Sequence, residues 1–187
     1  MPPSRLASRL ALIPLVLALA AGCGGDDDGG EGSSGDTPNQ GEGEPQALSG
    51  ITAAHNAARA SVNPPAATPI PPLTWSPEIA AVAQAYAERC EFNHSSGPYG
   101  ENLYASSGGS TPDDVVGSWV SEAADYDYAT NGCAGVCGHY TQVVWADSLR
   151  LGCGMASCTE NSPFGGPWEI WVCNYDPPGN WIGEKPY

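Results

Sequence analysis

The fold of this chain is decided by the stretch Gly138-His139-Tyr140-Thr141-Gln142-Val143-Val144-Trp145-Ala146-Asp147-Ser148. A second informative stretch is Cys173-Asn174-Tyr175-Asp176-Pro177-Pro178-Gly179-Asn180-Trp181. Two shorter ones lie earlier, His55-Asn56-Ala57-Ala58-Arg59 and Gly100-Glu101-Asn102-Leu103. Together the four stretches contain two of the three histidines of the chain. A functional site is expected where they meet.

In their order along the chain, the four stretches resemble the signatures of the CAP superfamily. This superfamily joins cysteine-rich secretory proteins, insect antigen 5 and plant pathogenesis-related class 1 proteins. The similarity runs from about Leu48 to Tyr187 and is greatest to the plant branch. One small departure is Trp171, where the second signature usually has a smaller apolar residue or Phe. The resemblance implies an α-β-α sandwich with a central antiparallel sheet and an open cleft.

The resemblance also implies a set of site residues. In the cleft, the family places two histidines and two glutamates, which map onto His55, Glu101, Glu122 and His139. Independently of any family, neutral imidazoles and carboxylates together suit a divalent cation such as Zn²⁺ and leave room for water. We therefore expect a cation at these four residues, with Zn²⁺ the first choice. We interpret the remaining histidine, His94, as a structural hydrogen-bonding residue.

Helical patterns come first along the chain and strand patterns follow. Apolar residues recur with helical spacing between Leu48 and Val62, where Ser49 is the expected cap. Ser76 before Pro77 and Thr111 before Pro112 announce two more helices. Segments rich in β-branched and aromatic residues predict three strands, Tyr140–Ala146, Leu149–Ala156 and Trp168–Tyr175. Helices followed by strands indicate the α+β class.

The chain has seven cysteines, and six remain when Cys23 is assigned to lipid. Six cysteines in an exported chain imply three disulfides, but spacing alone leaves fifteen pairings open. A metal site is the alternative for clustered cysteines, and the lack of a Cys-x-x-Cys pair disfavours it. The family resemblance implies the pairs Cys90–Cys158, Cys133–Cys137 and Cys153–Cys173.

The N-terminal residues have the pattern of an export signal. Arg5 and Arg9 precede an apolar run, Leu10 to Ala21, that is too short to cross a bilayer as a helix. Leu19 to Cys23 resembles a bacterial lipobox, in which the cysteine receives a diacylglycerol. We therefore predict a signal peptide over residues 1–22, with an ordinary signal peptide cut nearby as the alternative.

Residues 23–47 are predicted to be a disordered acidic tether that starts at the lipidated cysteine, because they have almost no apolar side chains. The folded domain is then residues 48–187. We expect it to be extracytoplasmic, lipid-anchored to a bacterial envelope or cell surface, and otherwise secreted. A monomer is expected.

The formal net charge of −15 argues against nucleic acids and anionic phospholipids as partners. Nucleic acids and anionic phospholipids are bound through basic patches, which this composition does not provide. The charge is compatible with cations, sugars and neutral lipids. The expected partners are thus a membrane, through the anchor, and a small ligand.

Three functions fit these features. The preferred one is a binding module for a sterol-like lipid or an envelope glycan, with residues around Trp119, Tyr126 and Tyr128 lining the groove. A metal-dependent hydrolase using the same four residues is the second, and a passive envelope protein is the third. The sequence has no Gly-x-Ser-x-Gly elbow and no His-Glu-x-x-His motif. Catalysis is therefore left open, with binding preferred.

The C-terminal segment Pro177–Tyr187 resembles one that some plant relatives release as a signalling peptide. Two prolines make the junction after Asp176 stiff and poor in backbone donors. We expect the segment to stay attached and to pack Trp181, Ile182 and Tyr187 against the domain.

The anchor prediction is tested by Cys23→Ser. Without the acceptor thiol no acyl chains can be attached, so the variant should move to the aqueous phase of a detergent partition. A variant that still partitions with membranes would show that the anchor assignment is wrong.

Overall fold

The computed structural model describes residues 42–187. The predicted signal peptide, the lipobox and most of the tether lie outside the described residues. Within residues 42–187, no helix is long and apolar enough to cross a membrane. The helices are α1 (Ile51–Ala60), α2 (Pro77–Ala87), α3 (Pro112–Ser121) and α4 (Gly138–Val143), with 3₁₀ turns at Gln46–Leu48 and Glu122–Asp125. The strands are β1 (Thr74–Trp75), β2 (Gly100–Ser106), β3 (Tyr126–Asp127), β4 (Gly132–Cys133), β5 (Arg150–Cys158) and β6 (Trp168–Asp176).

Two helix starts follow the sequence prediction. The Ser76 hydroxyl accepts the backbone N–H of Ile79, with Pro77 in the first turn of α2. Thr111 and Asp114 form a reciprocal capping box at the start of α3. Each side chain satisfies a backbone donor that a helix leaves without an internal partner.

The start of α1 differs from the prediction. Its cap position is Gly50 rather than Ser49. The Glu44 carboxylate accepts the backbone N–H groups of Gly50, at 2.7 Å, and Thr52, at 2.9 Å. A carboxylate at a helix N-terminus is favourable for the helix dipole. The folded domain thus includes Glu44, which lies before the predicted boundary at residue 48.

The predicted strand Tyr140–Ala146 is wrong, because this segment starts inside helix α4. Tyr140, Val143 and Val144 are buried, and their i, i+3, i+4 spacing places them on one helical face. The β-branched valines favoured a strand locally, but burial of this face against the core decides for the helix.

The main sheet has the strand order β1-β5-β6-β2. The pairs β5–β6 and β6–β2 are antiparallel, and the two-residue β1 is parallel to β5. Strands β5 and β6 confirm two of the predicted strands, whereas β2 was not predicted. A second, two-stranded sheet pairs β3 with β4.

Helices cover both faces of the sheet, as the predicted α-β-α sandwich requires. Helix α2 packs on β5 and β6, and α1, α3 and α4 pack together on the opposite side. Strand β6 is buried on both faces and its residues alternate between two cores. Trp168, Ile170 and Val172 join the core under α2, and Trp171, Cys173 and Tyr175 join the larger core under α1, α3 and α4.

Helix α2 lies unusually close to β5. A Cβ on Gly152 would meet the Ala80 backbone at 2.1 Å, and one on Gly154 would meet that of Gln84 at 2.3 Å. The Gln84 side chain also bonds both the N–H and the C=O of Met155. Glycine permits this approach because it has no side chain to displace the helix.

The three disulfides have the connectivity that the family resemblance implies. Cys90–Cys158 ties the segment after α2 to the end of β5, and Cys153–Cys173 joins opposite residues of β5 and β6. Cys133–Cys137 closes a small loop directly before α4. Such bridges are typical of proteins that fold in an oxidising compartment outside the cytoplasm.

Arg59, on α1, is the largest buried cation of the described domain. Its guanidinium donates to the carbonyls of Pro71, Val143, Trp145 and Ser148 at 2.7–3.0 Å, with Ala146 at 3.5 Å. Burial lowers the pKa of Arg59 to about 10, so the group remains charged at neutral pH. It joins α1 to the proline-rich loop, residues 63–72, and to the segment after α4.

The C-terminal segment packs in a different way from the expectation. Tyr187 lies against the larger core, and its ring stacks on Tyr128 with centroids 4.6 Å apart. Trp181 and Ile182, which were expected to pack, are exposed. They sit at the outer side of a turn, so the tail is attached through Tyr187 and the main chain around it.

Replacing Arg59 with Met should lower the free energy of unfolding by at least about 3 kcal/mol, because several buried carbonyls lose their donor. Arg89→Met is the matched control. Arg89 is exposed beside Glu91, and its loss should change stability by less than about 1 kcal/mol. Urea unfolding measures both, and equal midpoints for the two variants would contradict the role given to Arg59.

Candidate functional site

His55 lies on α1 and is completely buried. Its Nδ1 is 2.7 Å from the Ile51 carbonyl oxygen, so this nitrogen carries the proton and donates. Its Nε2 is 2.8 Å from the Tyr175 hydroxyl and accepts from it. The Tyr175 hydroxyl in turn accepts from Asn102 Nδ2. Both ring nitrogens of His55 are therefore occupied by the protein.

The electrostatics of His55 agree with this geometry. The pKa of His55 is lowered to about 4, mainly because the ring is buried. The hydrogen bond to Ile51 raises this pKa, and the charge of Arg59 lowers it further by a smaller amount. Burial also raises the pKa of Tyr175 well above its ordinary value, so the phenol keeps its proton. The pair is neutral and structural, which disfavours the prediction that His55 is a metal ligand.

His139, on α4, and Glu122, at the end of α3, form a close pair. The Glu122 carboxylate is 2.6 Å from His139 Nδ1 and also accepts the backbone N–H groups of His139 and Tyr140. The imidazole stacks on Trp119, with ring centroids 6.3 Å apart. Glu122 thus holds the ring through Nδ1 and leaves Nε2 as the nitrogen open to a ligand.

His94 and Glu101 form a second pair. His94 Nδ1 is 2.8 Å from Glu101 Oε1, which also accepts the backbone N–H of Ser95. The His94 side chain is 64% exposed, whereas that of Glu101 is only 6% exposed. The other carboxylate oxygen, Glu101 Oε2, is buried and has no hydrogen-bond partner in the described structure. A buried, unpartnered carboxylate oxygen calls for a donor or a cation.

The structure does not bring the four predicted ligands together. Side chains alternate along a strand, and Glu101 is on the same face of β2 as Leu103, in the core under α2. Asn102 points to the other face and donates to the His139 carbonyl. Trp119 contacts the rings of both His55 and His139. Among residues 42–187, no group of three or more His, Cys, Asp or Glu is placed to hold a metal.

His94 is the residue that sequence reasoning assigned only a structural role. His94 is the histidine that contacts Glu101. The sequence predicts this role for His55, which is buried. The short segment from Asn93 to Glu101 contains both partners. Their closeness along the chain was the available signal, but a loop conformation was needed to show that the side chains meet.

A groove of about 550 Å³ opens beside the His94–Glu101 pair. Asn174 lies opposite Glu101 in the β2–β6 register, and its Oδ1 is also buried without a partner in the described part of the chain. Two unpartnered acceptors, Asn174 Oδ1 and Glu101 Oε2, therefore belong to residues that face each other on neighbouring strands. The groove is lined by both polar and apolar groups, from Val82, Ala85, Tyr86, Arg89, Glu91, Asn93, His94, Ser95, Ser96, Gly97 and Asn174.

The aromatic groove expected around Trp119, Tyr126 and Tyr128 is not formed as predicted. Trp119 is 2% exposed and donates through Nε1 to the Leu103 carbonyl. It is a core residue and has no surface to offer a ligand. Tyr126 and Tyr128 are half-buried and contact Tyr140 and Tyr187, respectively.

Comparison with known proteins places these features in a family. Residues 52–175 match the profile described as "CAP: Cysteine-rich secretory protein family". Pathogenesis-related protein 1 of Arabidopsis thaliana is 47% identical over 137 residues, which cover 71% of this chain and 78% of the plant protein. Pathogenesis-related protein 1A of Nicotiana tabacum is 48% identical over 141 residues, covering 72% and 77%.

Solved structures agree with the sequence comparison. The venom allergen-like protein 4 of Schistosoma mansoni superposes with a TM-score of 0.63 at 26% identity, covering 76% of this chain and 94% of that protein. NaASP2, whose structure was determined with Zn²⁺, gives a TM-score of 0.64 at 26% identity and covers 80% and 88%.

The burial of His55 predicts a pH dependence of stability. The unfolded chain takes up a proton near pH 6.5, whereas the folded chain resists it down to about pH 4. Stability from this group is therefore complete above pH 6.5 and is lost as pH falls towards 4, by on the order of 3 kcal/mol.

Urea unfolding across this pH window should show a shallower slope for His55→Gln than for the wild type. Equal slopes for His55→Gln and the wild type would contradict the buried neutral state of His55.

Proposed function

Because the chain belongs to the cysteine-rich secretory protein (CAP) family, we propose that its domain is an extracytoplasmic binding module. The ligand occupies the groove between α2 and residues 91–97, and a divalent cation binds at the edge formed by His94 and Glu101. The observation that carries this proposal is the pair of buried, unpartnered acceptors, Glu101 Oε2 and Asn174 Oδ1.

The chemistry of the groove favours a hydroxyl-rich ligand over a sterol. Hydroxyl groups donate hydrogen bonds, which Glu101 Oε2 and Asn174 Oδ1 lack. Arg89 lies over the Tyr86 ring at 5.1 Å from its centroid, so the wall combines an aromatic face with charged and amide groups. Of the two ligand classes expected from the sequence, an envelope glycan supplies more donors for these two acceptors than a sterol-like lipid.

The cation proposal places the cation at Glu101, with His94 in place of the predicted His55. The predicted residues Glu122 and His139 remain as a separate pair. His94 and Glu101 supply one imidazole and one carboxylate, and water would complete the coordination of a cation such as Zn²⁺. NaASP2, a structural relative, was solved with Zn²⁺. The His139–Glu122 pair supplies a second, separate imidazole. With two protein ligands at the His94–Glu101 pair and only His139 Nε2 at the other, the expected affinity is weak.

The cellular setting is part of the proposal. Three disulfides fit a compartment outside the cytoplasm. Acylation of Cys23 would hold the domain at a membrane surface, where an envelope glycan is available. A secreted, unanchored protein is the alternative, and detergent partition of Cys23→Ser separates the two.

A hydrolase is the competing function, and the His139–Glu122 pair is the observation that favours it. An imidazole held by a carboxylate through Nδ1 has the orientation of a general base. The six cysteines from Cys90 onward are paired, so none of them provides a thiolate. Turnover of a peptide, ester or glycan library above the level of a His139→Ala variant would favour hydrolysis over binding.

The cation site is tested by titrating Zn²⁺ into wild type, Glu101→Gln and Glu88→Gln in a calorimeter. Glu101→Gln removes the unpartnered charge at nearly constant shape, so the affinity should fall at least about tenfold. Glu88, on the exposed side after α2, bonds Gln84, and its Gln variant should bind like the wild type. Equal affinities for all three proteins would place the cation elsewhere.

The groove is tested by native mass spectrometry of protein isolated from its own envelope. The wild type should carry a bound carbohydrate mass, and Asn174→Leu should lose it because the apolar side chain removes the acceptor. Near-ultraviolet circular dichroism checks that the variant is folded. A wild-type protein without bound carbohydrate, or with a bound lipid in its place, would contradict the glycan proposal.

A further inference from the structure

A tight turn near the C-terminus presents two large apolar side chains to solvent. In this turn, the Glu184 N–H donates to the Trp181 carbonyl at 3.0 Å, and Gly183 has a φ of 87°. Glycine at this third position is what a type II turn requires, because a side chain there would be strained. The backbone conformation of the turn therefore places Trp181 and Ile182 where they are.

The exposed apolar surface is larger than the turn alone. Ile182 is fully exposed and Trp181 is 57% exposed. Val136, which is 61% exposed, lies two residues before Gly138, whose carbonyl accepts from Asn180 Nδ2 at 2.8 Å. That bond brings the Val136 loop next to the turn. We call Val136, Trp181 and Ile182 the apolar tip.

The main chain on both sides of the tip is held by the domain. Before the turn, the side-chain Oδ1 of Asn180 accepts from the Thr141 hydroxyl at 2.7 Å. After it, the Glu184 carbonyl accepts from Asn131 Nδ2, and the Pro186 carbonyl accepts from the Ala146 N–H at 2.7 Å. The exposure of Trp181 and Ile182 is therefore a feature of a fixed turn. A fixed turn loses little conformational freedom on binding.

We propose that the apolar tip inserts into the interfacial region of a lipid bilayer with zwitterionic or uncharged headgroups. Tryptophan prefers the membrane–water interface, and an aliphatic side chain beside it reaches the acyl chains. Lys185, the cation that directly follows the turn, is held over the Tyr128 ring at 4.4 Å from its centroid. The net charge of −15 opposes attraction to anionic lipids.

The small size of the tip distinguishes a membrane from a protein partner. A stable protein–protein interface needs about 800 Å² on each side, and three side chains on a projecting turn supply only a fraction of that area. Insertion into a bilayer needs only that the side chains leave water. A lipid surface is therefore the occupant that this geometry fits.

Vesicle binding tests the proposal independently of acylation. The exported full-length chain carrying Cys23→Ser is sedimented with phosphatidylcholine vesicles, with and without Trp181→Ser and Ile182→Ser together. The bound fraction should fall at least about tenfold in the double-serine variant. Phosphatidylcholine brominated in its acyl chains should quench part of the tryptophan fluorescence of the parent, and Trp181→Phe should remove that quenching while binding persists.

Leu149→Ser is the matched control, because Leu149 is a similarly exposed apolar residue, at 47%, away from the tip. It should bind vesicles like the parent chain. Lack of vesicle binding by the parent would overturn the proposal, as would equal binding by the double-serine variant or binding that requires anionic lipid. Self-association that disappears in the double-serine variant, without any vesicle binding, would assign the tip to a second copy of the chain instead.

Discussion

The guanidinium of Arg59 is the constraint on which the arrangement of the domain depends. A buried cation must have its donors satisfied, and here main-chain carbonyls from the proline-rich loop and from residues 143–148 do so. These carbonyls include the end of α4, where a positive charge also complements the helix dipole. Helix α4 is thereby held against α1. The position of His139, at the opposite end of α4, follows from this contact.

The same contact extends to the C-terminal segment. The Ser148 carbonyl accepts from Arg59, and its hydroxyl donates to the Pro177 carbonyl and accepts from Gln142 Nε2. Gln142 Oε1 accepts the N–H of Gly179. A Cβ on Gly179 would lie 2.5 Å from the Trp145 ring, so glycine permits the approach. The turn that carries the apolar tip is thus placed by a chain of buried polar contacts.

The two sides of the sheet differ in how their buried polar groups are partnered. On the side of α1, α3 and α4, His55, Tyr175 and Asn102 form a closed, neutral network that leaves no acceptor for a ligand. On the α2 side, Glu101 and Asn174 retain buried oxygens without partners in the described domain. Buried polar groups are satisfied in most folded proteins. Glu101 and Asn174 lie beside a groove open to solvent, and the proposed binding is assigned to that groove.

Local sequence patterns were enough to predict the α+β class, the caps of α2 and α3 and strands β5 and β6, and the family resemblance was enough to predict the disulfide pairs. These features rest on local patterns and on ordered motifs. Long-range packing, by contrast, makes residues 138–143 helical, buries both ring nitrogens of His55 in hydrogen bonds and brings His94 to Glu101. It also decided that Trp181 and Ile182 face solvent. The physical reason is that burial and hydrogen-bond partners come from residues distant in the chain, and a histidine's role depends on which partners it finds.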